Sequence, residues 1–516
     1  MLSWGWRRAF IAFAAGLMAD LALPPVNFFP VMFISLPVLV WLIDGASGSA
    51  NAGVLGRMRP AFVTGWWFGF GYFTGGLFWL GNALLVEAEQ FAWALPLAVF
   101  GLPAFLALFY GVAVAIARLF WSDGFGRIAM LAAAFGLVEF ARQFLLTGFP
   151  WNAIGYTIAP VPVMMQTAAF FGLGGLNLLA VFVFAMPALI GTRRGWLPGG
   201  ILAAVLFALH VGYGFYSMQQ PQPEPSGILM VRLVQPNIDQ SVKWQPGDRE
   251  TIFQDLLELT ARPPTDGEMR PDVIIWPETA IPFLLTENPA ALSQIADTLQ
   301  IGQTLISGAV RAEGEQGDPQ TRYYNAIYVI DDEGEIVAAS DKSHLVPFGE
   351  YLPLENLLAR LGLKTVAQSF GGFSAANNRT LLPLPNGIKA LPLICYEAIF
   401  PAMMEVAGEQ GDLLLNVTND DWFGNSPGPY QHLRQAQLRA VETRLPLLRA
   451  ANSGISTVIA PNGELNHLLP LGEKGIINAR LTISTGGKAT YEKRELNFWL
   501  FFAIMVSMGI FSRFGK

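Results

Sequence analysis

Three side chains of the kind that carry chemistry each follow a short apolar stretch. Cys395, the only cysteine in 516 residues, ends one of these stretches. Glu278 follows the second, after Trp276 and Pro277, and Lys342 follows the third. Ligand sites in open α/β sheets gather at strand ends, so a thiol, a carboxylate and an amine could meet in one pocket. The pattern therefore predicts a catalytic centre.

The three groups suit nucleophilic catalysis. A thiol with a pKa of ~8.5 attacks poorly until a neighbour takes its proton. Glu278 lies where Pro277 ends a strand, and partial shelter by Trp276 would raise its pKa toward that of a general base. Lys342 could hold a developing oxyanion. Each also has a plain interpretation: a buried structural cysteine, a solvated loop acid and a surface lysine.

The composition of the chain indicates that much of it contacts lipid. It is 53% hydrophobic and 14% charged, with a mean hydropathy of +0.41, whereas soluble domains are ~25% charged. The net charge of −7 offers no basic surface for nucleic acid. A single cysteine excludes a disulfide scaffold and a multi-cysteine zinc site, and four scattered histidines argue against a metal centre.

Eight stretches are long and apolar enough for membrane spans, which need about 20 residues. They lie near 9–24, 28–43, 61–86, 91–118, 127–146, 163–191, 196–217 and 496–512. Alternate loops carry the arginines, so the positive-inside rule places both termini in the cytoplasm. We therefore expect a seven-helix domain at 1–217, an exported domain at 218–494 in a bacterial-type periplasm, and a last helix within 495–516.

Glu139 and Arg142 stand three residues apart near one predicted span. Intramembrane charges are often functional. The plainer interpretation, which we favour, is an ion pair at a helix end, with its charges reaching the membrane interface.

Residues 218–494 alternate between strand and helix patterns, which predicts an α/β sandwich. Strands are expected at 228–235, 272–276, 303–310, 324–331, 335–341, 389–395, 412–417, 446–451, 455–460 and 476–483. Helices are expected at 249–262, 289–300, 400–410 and 430–445. Turn-forming residues predict hairpins over 329–337 and 458–464.

Two loops combine glycine with aromatic residues. One, at 366–380, includes Phe370 and Phe373, and the other, at 419–430, includes Trp422 and Phe423. In a domain tethered to a membrane, such loops suit a mobile lid that contacts lipid. Aromatic rings tucked over the core are an equally good interpretation.

The motifs around these residues resemble the carbon–nitrogen hydrolase (nitrilase) superfamily. They are Trp276-Pro277-Glu278, Lys342 with the tail Leu345-Val346-Pro347-Phe348-Gly349-Glu350, and Cys395-Tyr396-Glu397. This likeness covers roughly 228–485. With seven spans before it and one after, the whole chain resembles the apolipoprotein N-acyltransferase family. Gln235-Pro236-Asn237-Ile238, Lys243-Trp244 and Asn419-Asp420-Asp421-Trp422-Phe423-Gly424 are similar to that family as well.

The resemblance implies an αββα sandwich on a membrane bundle and acyl transfer in two steps. A phospholipid would acylate the cysteine, and the α-amine of a diacylglyceryl-cysteine apolipoprotein would accept the chain from the thioester. The implied roles are general base for Glu278, nucleophile for Cys395 and oxyanion stabiliser for Lys342.

Further roles are expected around these three residues. Glu350 would orient Lys342 or strengthen the electrostatic field of the pocket, and the backbone N–H of Tyr396 would be a second oxyanion donor. Trp244, Glu397, Phe373 and Trp422 are expected to contact substrate. The resemblance implies no metal or diffusible cofactor. We expect a monomer in the bacterial inner membrane, with no nucleic-acid partner.

Two other functions remain open on the sequence. A membrane-anchored amidase or nitrilase would use the same three groups on a soluble C–N substrate. A transporter with a non-catalytic outer domain would need more intramembrane charge than this chain has.

Overall fold

The computed structural model describes residues 4–48, 51, 53–192, 194–221, 224–264, 267–314, 318, 320–353, 372–406, 408–484 and 489–514, the side chains of 513 and 514 excepted. These residues form two compact units. One unit comprises Met1–Gly81, Trp93–Gln220 and Tyr491–Lys516, and the other comprises Asn82–Ala92 and Pro221–Thr490. The segment at 82–92, which the sequence grouped with the first domain, clusters with the second unit.

The described α-helices are numbered in chain order. They are α1 (Trp6–Ala19), α2 (Met32–Asp44), α3 (Val54–Leu77), α4 (Gly81–Leu85), α5 (Ala88–Phe91), α6 (Leu102–Leu119), α7 (Gly126–Ala141), α8 (Ala168–Ala185), α9 (Trp196–Met218), α10 (Arg249–Ala261), α11 (Pro289–Thr298), α12 (Pro427–Thr443) and α13 (Tyr491–Phe514).

The first unit is a bundle of apolar helices. Within the described residues, four helical segments are long and apolar enough to cross a bilayer: Ala88–Leu119, Ala168–Gly191, Trp196–Met218 and Tyr491–Ser512. Each of the other predicted spans also contains a helix, but Phe29–Asp44, for example, is shorter. A count of eight spans therefore stays a prediction.

The pair formed by Glu139 and Arg142 lies at a helix end and is buried within the protein. Arg142 Nη2 lies 2.6 Å from Glu139 Oε2, and the two side chains are 1% and 0% exposed. Arg142 also donates to the carbonyl oxygens of Phe149 and Trp151, while Glu139 accepts from the Tyr110 hydroxyl. The predicted ion pair is confirmed, but its charges do not reach solvent, because the loop after α7 supplies carbonyl oxygens as partners for Arg142. The position of the pair relative to the membrane interface stays a prediction.

The second unit contains two six-stranded sheets. The strands are β1 (Pro225–Gln235), β2 (Val273–Trp276), β3 (Thr304–Glu313), β4 (Arg322–Ile330), β5 (Ile336–Asp341), β6 (Leu382–Pro383), β7 (Lys389–Ile394), β8 (Leu413–Thr418), β9 (Leu447–Ala451), β10 (Ser456–Ile459), β11 (Leu465–Leu469) and β12 (Gly475–Ser484). The first sheet has the order β12-β1-β2-β3-β4-β5, and the second has β11-β10-β9-β8-β7-β6.

Three hydrophobic clusters make this unit a four-layered sandwich. The middle cluster takes apolar side chains from both sheets, including Leu233, Ile275, Leu415 and Leu448. A second joins the outer face of the first sheet to α10 and α11, and a third joins the second sheet to α12. The layer order is the αββα sandwich that the sequence resemblance implied.

All ten predicted strands and both hairpins are present, but the helix expected at 400–410 was wrong. The chain there forms one short 3₁₀ turn, Pro401–Met403. The Arg379 guanidinium donates to the carbonyl oxygens of Met403 and Glu405 at 2.7 and 3.0 Å. In a helix those carbonyl oxygens would accept backbone hydrogen bonds instead. Gly408 then takes a positive φ of 79°, which a right-handed helix does not allow.

Candidate active site

Cys395 follows β7, the strand that pairs in parallel with β8. Its φ is +49°, a left-handed conformation that costs a residue with a side chain on the order of 1–3 kcal/mol and that often marks functional sites. The side chain is 7% exposed. The thiol therefore sits at a strained strand end beneath the surface.

Glu278 follows the end of β2, as its position after Pro277 predicted. Its Oε1 accepts from Asn325 Nδ2 at 2.7 Å, and its Oε2 accepts from the backbone N–H of Asn419 at 2.8 Å. The carboxylate thus links both sheets, because Asn325 lies in β4 and Asn419 directly follows β8.

Lys342 comes directly after β5 and is 1% exposed. Its Nζ lies 2.9 Å from Glu350 Oε1 and 3.5 Å from Glu278 Oε1. The Asn325 amide donates to both carboxylates, the contact with Glu350 being 3.0 Å long. One ammonium and one amide therefore hold two buried carboxylates together.

The charges of this pocket set the protonation states of its thiol and its amine. Burial and the charge of Glu278 raise the pKa of the Cys395 thiol, against an opposing effect of Lys342. For Lys342, burial favours the neutral amine, but Glu350 and Glu278 raise its pKa above the usual value. The resting site therefore holds a protonated thiol beside an ammonium, and a base must take the thiol proton during attack.

Glu350 and Glu397 anchor the loops that carry Lys342 and Cys395. Glu350 Oε2 accepts from the backbone N–H of Val346 at 2.8 Å, which fixes the turn after Lys342. Glu397 is 1% exposed. Its Oε1 accepts from the backbone N–H and the hydroxyl of Ser343, and its Oε2 accepts from Ile394 N–H at 2.9 Å. Glu397 thus ties the loop that carries Lys342 to β7, the strand before Cys395, and its expected contact with substrate stays a prediction.

The aromatic residues expected to contact substrate are partly buried. Trp244 lies beside Lys243, whose Nζ is 5.8 Å from the ring centroid. The backbone N–H of Phe373 donates to Glu350 O at 2.8 Å, so this loop reaches the charged pocket. Trp422 lies in a 3₁₀ turn, Asp420–Phe423, that follows Asn419. Phe370 lies outside the described residues.

Two pocket residues were not singled out from the sequence as catalytic. Asn325 is 2% exposed and lies among mostly apolar and aromatic residues of β4. A polar residue in a strand of this kind was the signal in the sequence that could have identified it as a site residue. Lys243 is 1% exposed, and its Nζ donates to Thr279 Oγ1 at 2.9 Å and to Glu278 O at 3.4 Å. Burial lowers the pKa of Lys243 to about 8, although Glu278 and Asp421 oppose the shift.

Cys395, Asp420 and His432 bring three donor atoms within 4.8 Å of one another, the one such group among the described residues. The donor set does not suit a cation. The carboxylate oxygens of Asp420 already contact His432 Nδ1 and Arg449 Nη2, at 2.8 and 2.6 Å. A guanidinium bound to the carboxylate occupies the place that a metal ion would need.

Comparisons with known proteins place both parts of the chain in known families. The family described as carbon-nitrogen hydrolase matches residues 230–491, and the apolipoprotein N-acyltransferase N-terminal domain matches 15–186. A protein of Agrobacterium fabrum named apolipoprotein N-acyltransferase is 55% identical over 511 residues, covering 99% of this chain and 97% of its own. A protein of the same name from Rhizobium etli is 56% identical, covering 100% and 97%.

Among solved structures, an amidase from Nesterenkonia sp. aligns at 20% identity with a TM-score of 0.36, covering 51% of this chain and 94% of its own. The two named relatives, by contrast, are identical to this chain at more than half of the aligned positions over almost their full lengths. The chain belongs to the apolipoprotein N-acyltransferase family.

Proposed function

We propose that this protein transfers an acyl chain from a phospholipid, through a thioester on Cys395, to the N-terminal α-amine of diacylglyceryl-cysteine apolipoproteins. One observation carries the proposal: the Lys342 ammonium contacts Glu278 and Glu350 in a buried pocket whose charges act on the Cys395 thiol. The names of the full-length relatives supply the substrate classes. They favour this function over a membrane-anchored amidase.

The first half-reaction breaks an ester bond of the phospholipid. Cys395 Sγ attacks the acyl carbonyl carbon while Glu278 takes the thiol proton. Lys342 and the Tyr396 backbone N–H stabilise the tetrahedral oxyanion. The lysophospholipid oxygen leaves with the proton that Glu278 returns, and the acyl chain remains on sulfur as a thioester.

The second half-reaction forms an amide bond. The neutral α-amine of the apolipoprotein attacks the thioester carbonyl, and Glu278 takes a proton from the attacking nitrogen. The sulfur leaves and recovers a proton through Glu278, so the enzyme returns to its resting thiol. No metal or diffusible cofactor enters either step.

The residues around these three groups receive supporting roles. Glu350 orients the Lys342 ammonium through its 2.9 Å contact. Glu397, with backbone partners on both loops, positions the nucleophile more than it binds substrate. Trp244, Phe373 and Trp422 are proposed to contact the lipid chains. The chain is proposed to act as a monomer with eight spans, with residues 218–494 in the periplasm.

Mass spectrometry of the purified full-length protein tests the proposal. Protein incubated with phospholipid vesicles is expected to carry a hydroxylamine-sensitive acyl group on Cys395, and a diacylated lipopeptide is expected to discharge it. Cys395→Ala should form neither adduct nor product. Glu278→Gln should slow adduct formation by ~10²–10⁴-fold, while Glu287→Gln, a change at an exposed glutamate after the same strand, should not. Hydrolysis of a small amide without any phospholipid adduct would favour the amidase instead.

A further inference from the structure

A buried charged cluster lies behind the nucleophile and has no part in the two half-reactions described above. It consists of His432 on α12, Asp420 after β8 and Arg449 on β9. All three side chains are 0% exposed. Burying charges is costly unless they are paired, so a cluster of this kind at the back of a catalytic residue calls for a functional explanation.

His432 joins this cluster to the backbone of Cys395. Its Nδ1 lies 2.8 Å from Asp420 Oδ1, and its Nε2 lies 3.1 Å from the carbonyl oxygen of Cys395. A carbonyl oxygen only accepts hydrogen bonds, so Nε2 carries the hydrogen and donates it. This holds whether Nδ1 donates to Asp420 or accepts from Arg449 Nη2, which lies 3.2 Å away.

The remaining contacts of the cluster fix the imidazole ring. Arg449 Nη2 and Thr418 Oγ1 donate to the two oxygens of Asp420, at 2.6 and 2.9 Å. Burial alone would raise the pKa of Asp420, but Arg449 and His432 lower it to about 2. Asp420 is therefore an ionised carboxylate held on three sides, and the ring of His432 is held with it.

The hydrogen bond from His432 to the Cys395 carbonyl also orients the N–H group of Tyr396, because both groups belong to one peptide. A trans peptide is planar, so its C=O and N–H groups point to opposite sides. The Cys395 carbonyl is held toward His432, and the N–H of Tyr396 in the same peptide therefore points away from His432. On the other side of the nucleophile, Glu397 holds the Ile394 N–H at 2.9 Å. Hydrogen bonds therefore hold the backbone on both sides of Cys395, whose φ is a strained +49°. Glu397 holds the residue before it, and His432 holds its own carbonyl.

We propose that His432 is a positioning residue of the oxyanion site: by holding the Cys395 carbonyl, it aims the Tyr396 N–H at the oxygen of the acyl group under attack. The proposal rests on the proposed acyl transfer through Cys395. Donation to the carbonyl also polarises the peptide, which strengthens its N–H as a donor. Asp420 and Arg449 act through His432 by fixing the ring.

Two substitutions of His432 distinguish a positioning role in the oxyanion site from a role in packing alone. In His432→Gln the amide nitrogen takes the place of Nε2, so donation to the Cys395 carbonyl is retained. In His432→Asn the shorter side chain takes the place of Nδ1, so that donation is lost. His432→Asn is expected to slow thioester formation and discharge by ~10²-fold with KM unchanged, as the loss of one oxyanion donor does. His432→Gln is expected to restore most of the rate, and His467→Asn on exposed β11 serves as the control.

Two further readouts do not depend on phospholipid turnover. Alkylation of Cys395 by iodoacetamide passes through no oxyanion, so its rate should be equal in the wild type and His432→Asn. A fatty aldehyde forms a hemithioacetal oxyanion on the thiol, so its affinity should fall in His432→Asn by the same factor as acyl transfer. If His432→Asn does not fold, Asp420→Asn, which keeps the volume, should show the same separation between aldehyde affinity and alkylation.

The outcomes are distinct. Equal losses in the Gln and Asn variants, or alkylation that slows together with transfer, would overturn the positioning role and assign His432 to packing or to the thiol. A wild-type rate in His432→Asn would overturn it as well. If the wild type forms no phospholipid adduct on Cys395, the proposed function fails, while the aldehyde and alkylation measurements still decide the role of His432.

Discussion

At the scale of single residues, the pocket around Lys342 keeps two carboxylates and one ammonium away from water. Such groups remain stably charged when hydrogen bonds replace the lost hydration. Asn325 supplies two of those bonds, one to Glu278 and one to Glu350, at 2.7 and 3.0 Å. The amide therefore holds Glu278, the proposed base, and Glu350, which contacts Lys342, at a fixed separation.

Asn325→Ala is expected to slow thioester formation by ~10–10²-fold, because hydrogen bonds to charged groups contribute about 1.5–3 kcal/mol. Asn325→Asp should be slower still, because it adds a third carboxylate beside two others. Single-turnover rates with phospholipid vesicles measure both effects. Asn466→Asp on exposed β11 is the control, and a wild-type rate in Asn325→Asp would contradict this account of the pocket.

Lys243 makes the stability of the protein depend on pH. Burial lowers its pKa from 10.5 to about 8, so the unfolded chain binds this proton more tightly than the folded protein does. Stability from this group is therefore lowest below pH 8 and rises as the pH increases toward 10.5, by up to ~3 kcal/mol.

Comparing the stability of the wild type with that of Lys243→Met at several pH values measures the pH dependence that comes from Lys243. The melting temperature of the wild type, relative to Lys243→Met, is expected to rise between pH 7 and pH 10 when the full chain is followed in detergent by intrinsic fluorescence. Lys389→Met, at a position whose side chain is 58% exposed, should show no such trend. A difference that stays flat or falls with pH would refute the assignment.

At the scale of elements, the position of Glu278 depends on one close approach between a strand and a turn. A Cβ atom on Gly308 of β3 would lie 2.4 Å from Pro277 O and 2.7 Å from Glu278 Cα. The backbone N–H of Ala280 donates to Gly308 O at 2.9 Å. Only a residue without a side chain lets the turn that carries Glu278 lie against β3.

Gly308→Ala is expected to destabilise the protein by about 1–3 kcal/mol through overpacking. It should also lower the acyl-transfer rate by roughly 10²-fold, because a shift of ~1 Å in a catalytic group has that effect. Melting temperature and single-turnover rate measure the two changes. Gly227→Ala, on β1 with its nearest neighbour at 3.7 Å, should leave the rate unaltered, and an active Gly308→Ala would show that the turn adapts.

At the scale of the whole molecule, we expect residues 218–494 to lie outside the cytoplasm. The alternation of arginine-bearing loops carries that expectation, since cytoplasmic loops are rich in Lys and Arg. The helices that cross the bilayer then set the side on which residues 218–494 lie.

Reporter fusions after residue 220 test this topology. A periplasmic phosphatase reporter joined there is expected to be active, and a cytoplasmic reporter at the same point inactive. Fusions after residue 194, in an arginine-bearing loop, should give the reverse result. A cytoplasmic signal after residue 220 would contradict both the topology and the proposed substrates.

The amino-acid sequence by itself predicted most of the strands and helices of the second unit and singled out three side chains at strand ends. Every expected strand formed, because alternating and continuous apolar runs are local signals. The two missed strands have no such signal: β6 is two residues long, and most of β11 is exposed. The sequence also located Cys395, Glu278 and Lys342 at strand ends, since proline and polar residues end apolar runs in recognisable ways.

Only the tertiary structure decided which other groups surround these three. Glu278 accepts from a backbone N–H that is 141 residues away in sequence, and Asn325, His432 and Asp420 reach the pocket from separate elements. The registers of parallel strands bring such groups together, and no local pattern encodes those registers. The same reason explains why the ion pair of Glu139 and Arg142 was expected near water: the chain that buries it lies beyond the helix on which the two residues stand.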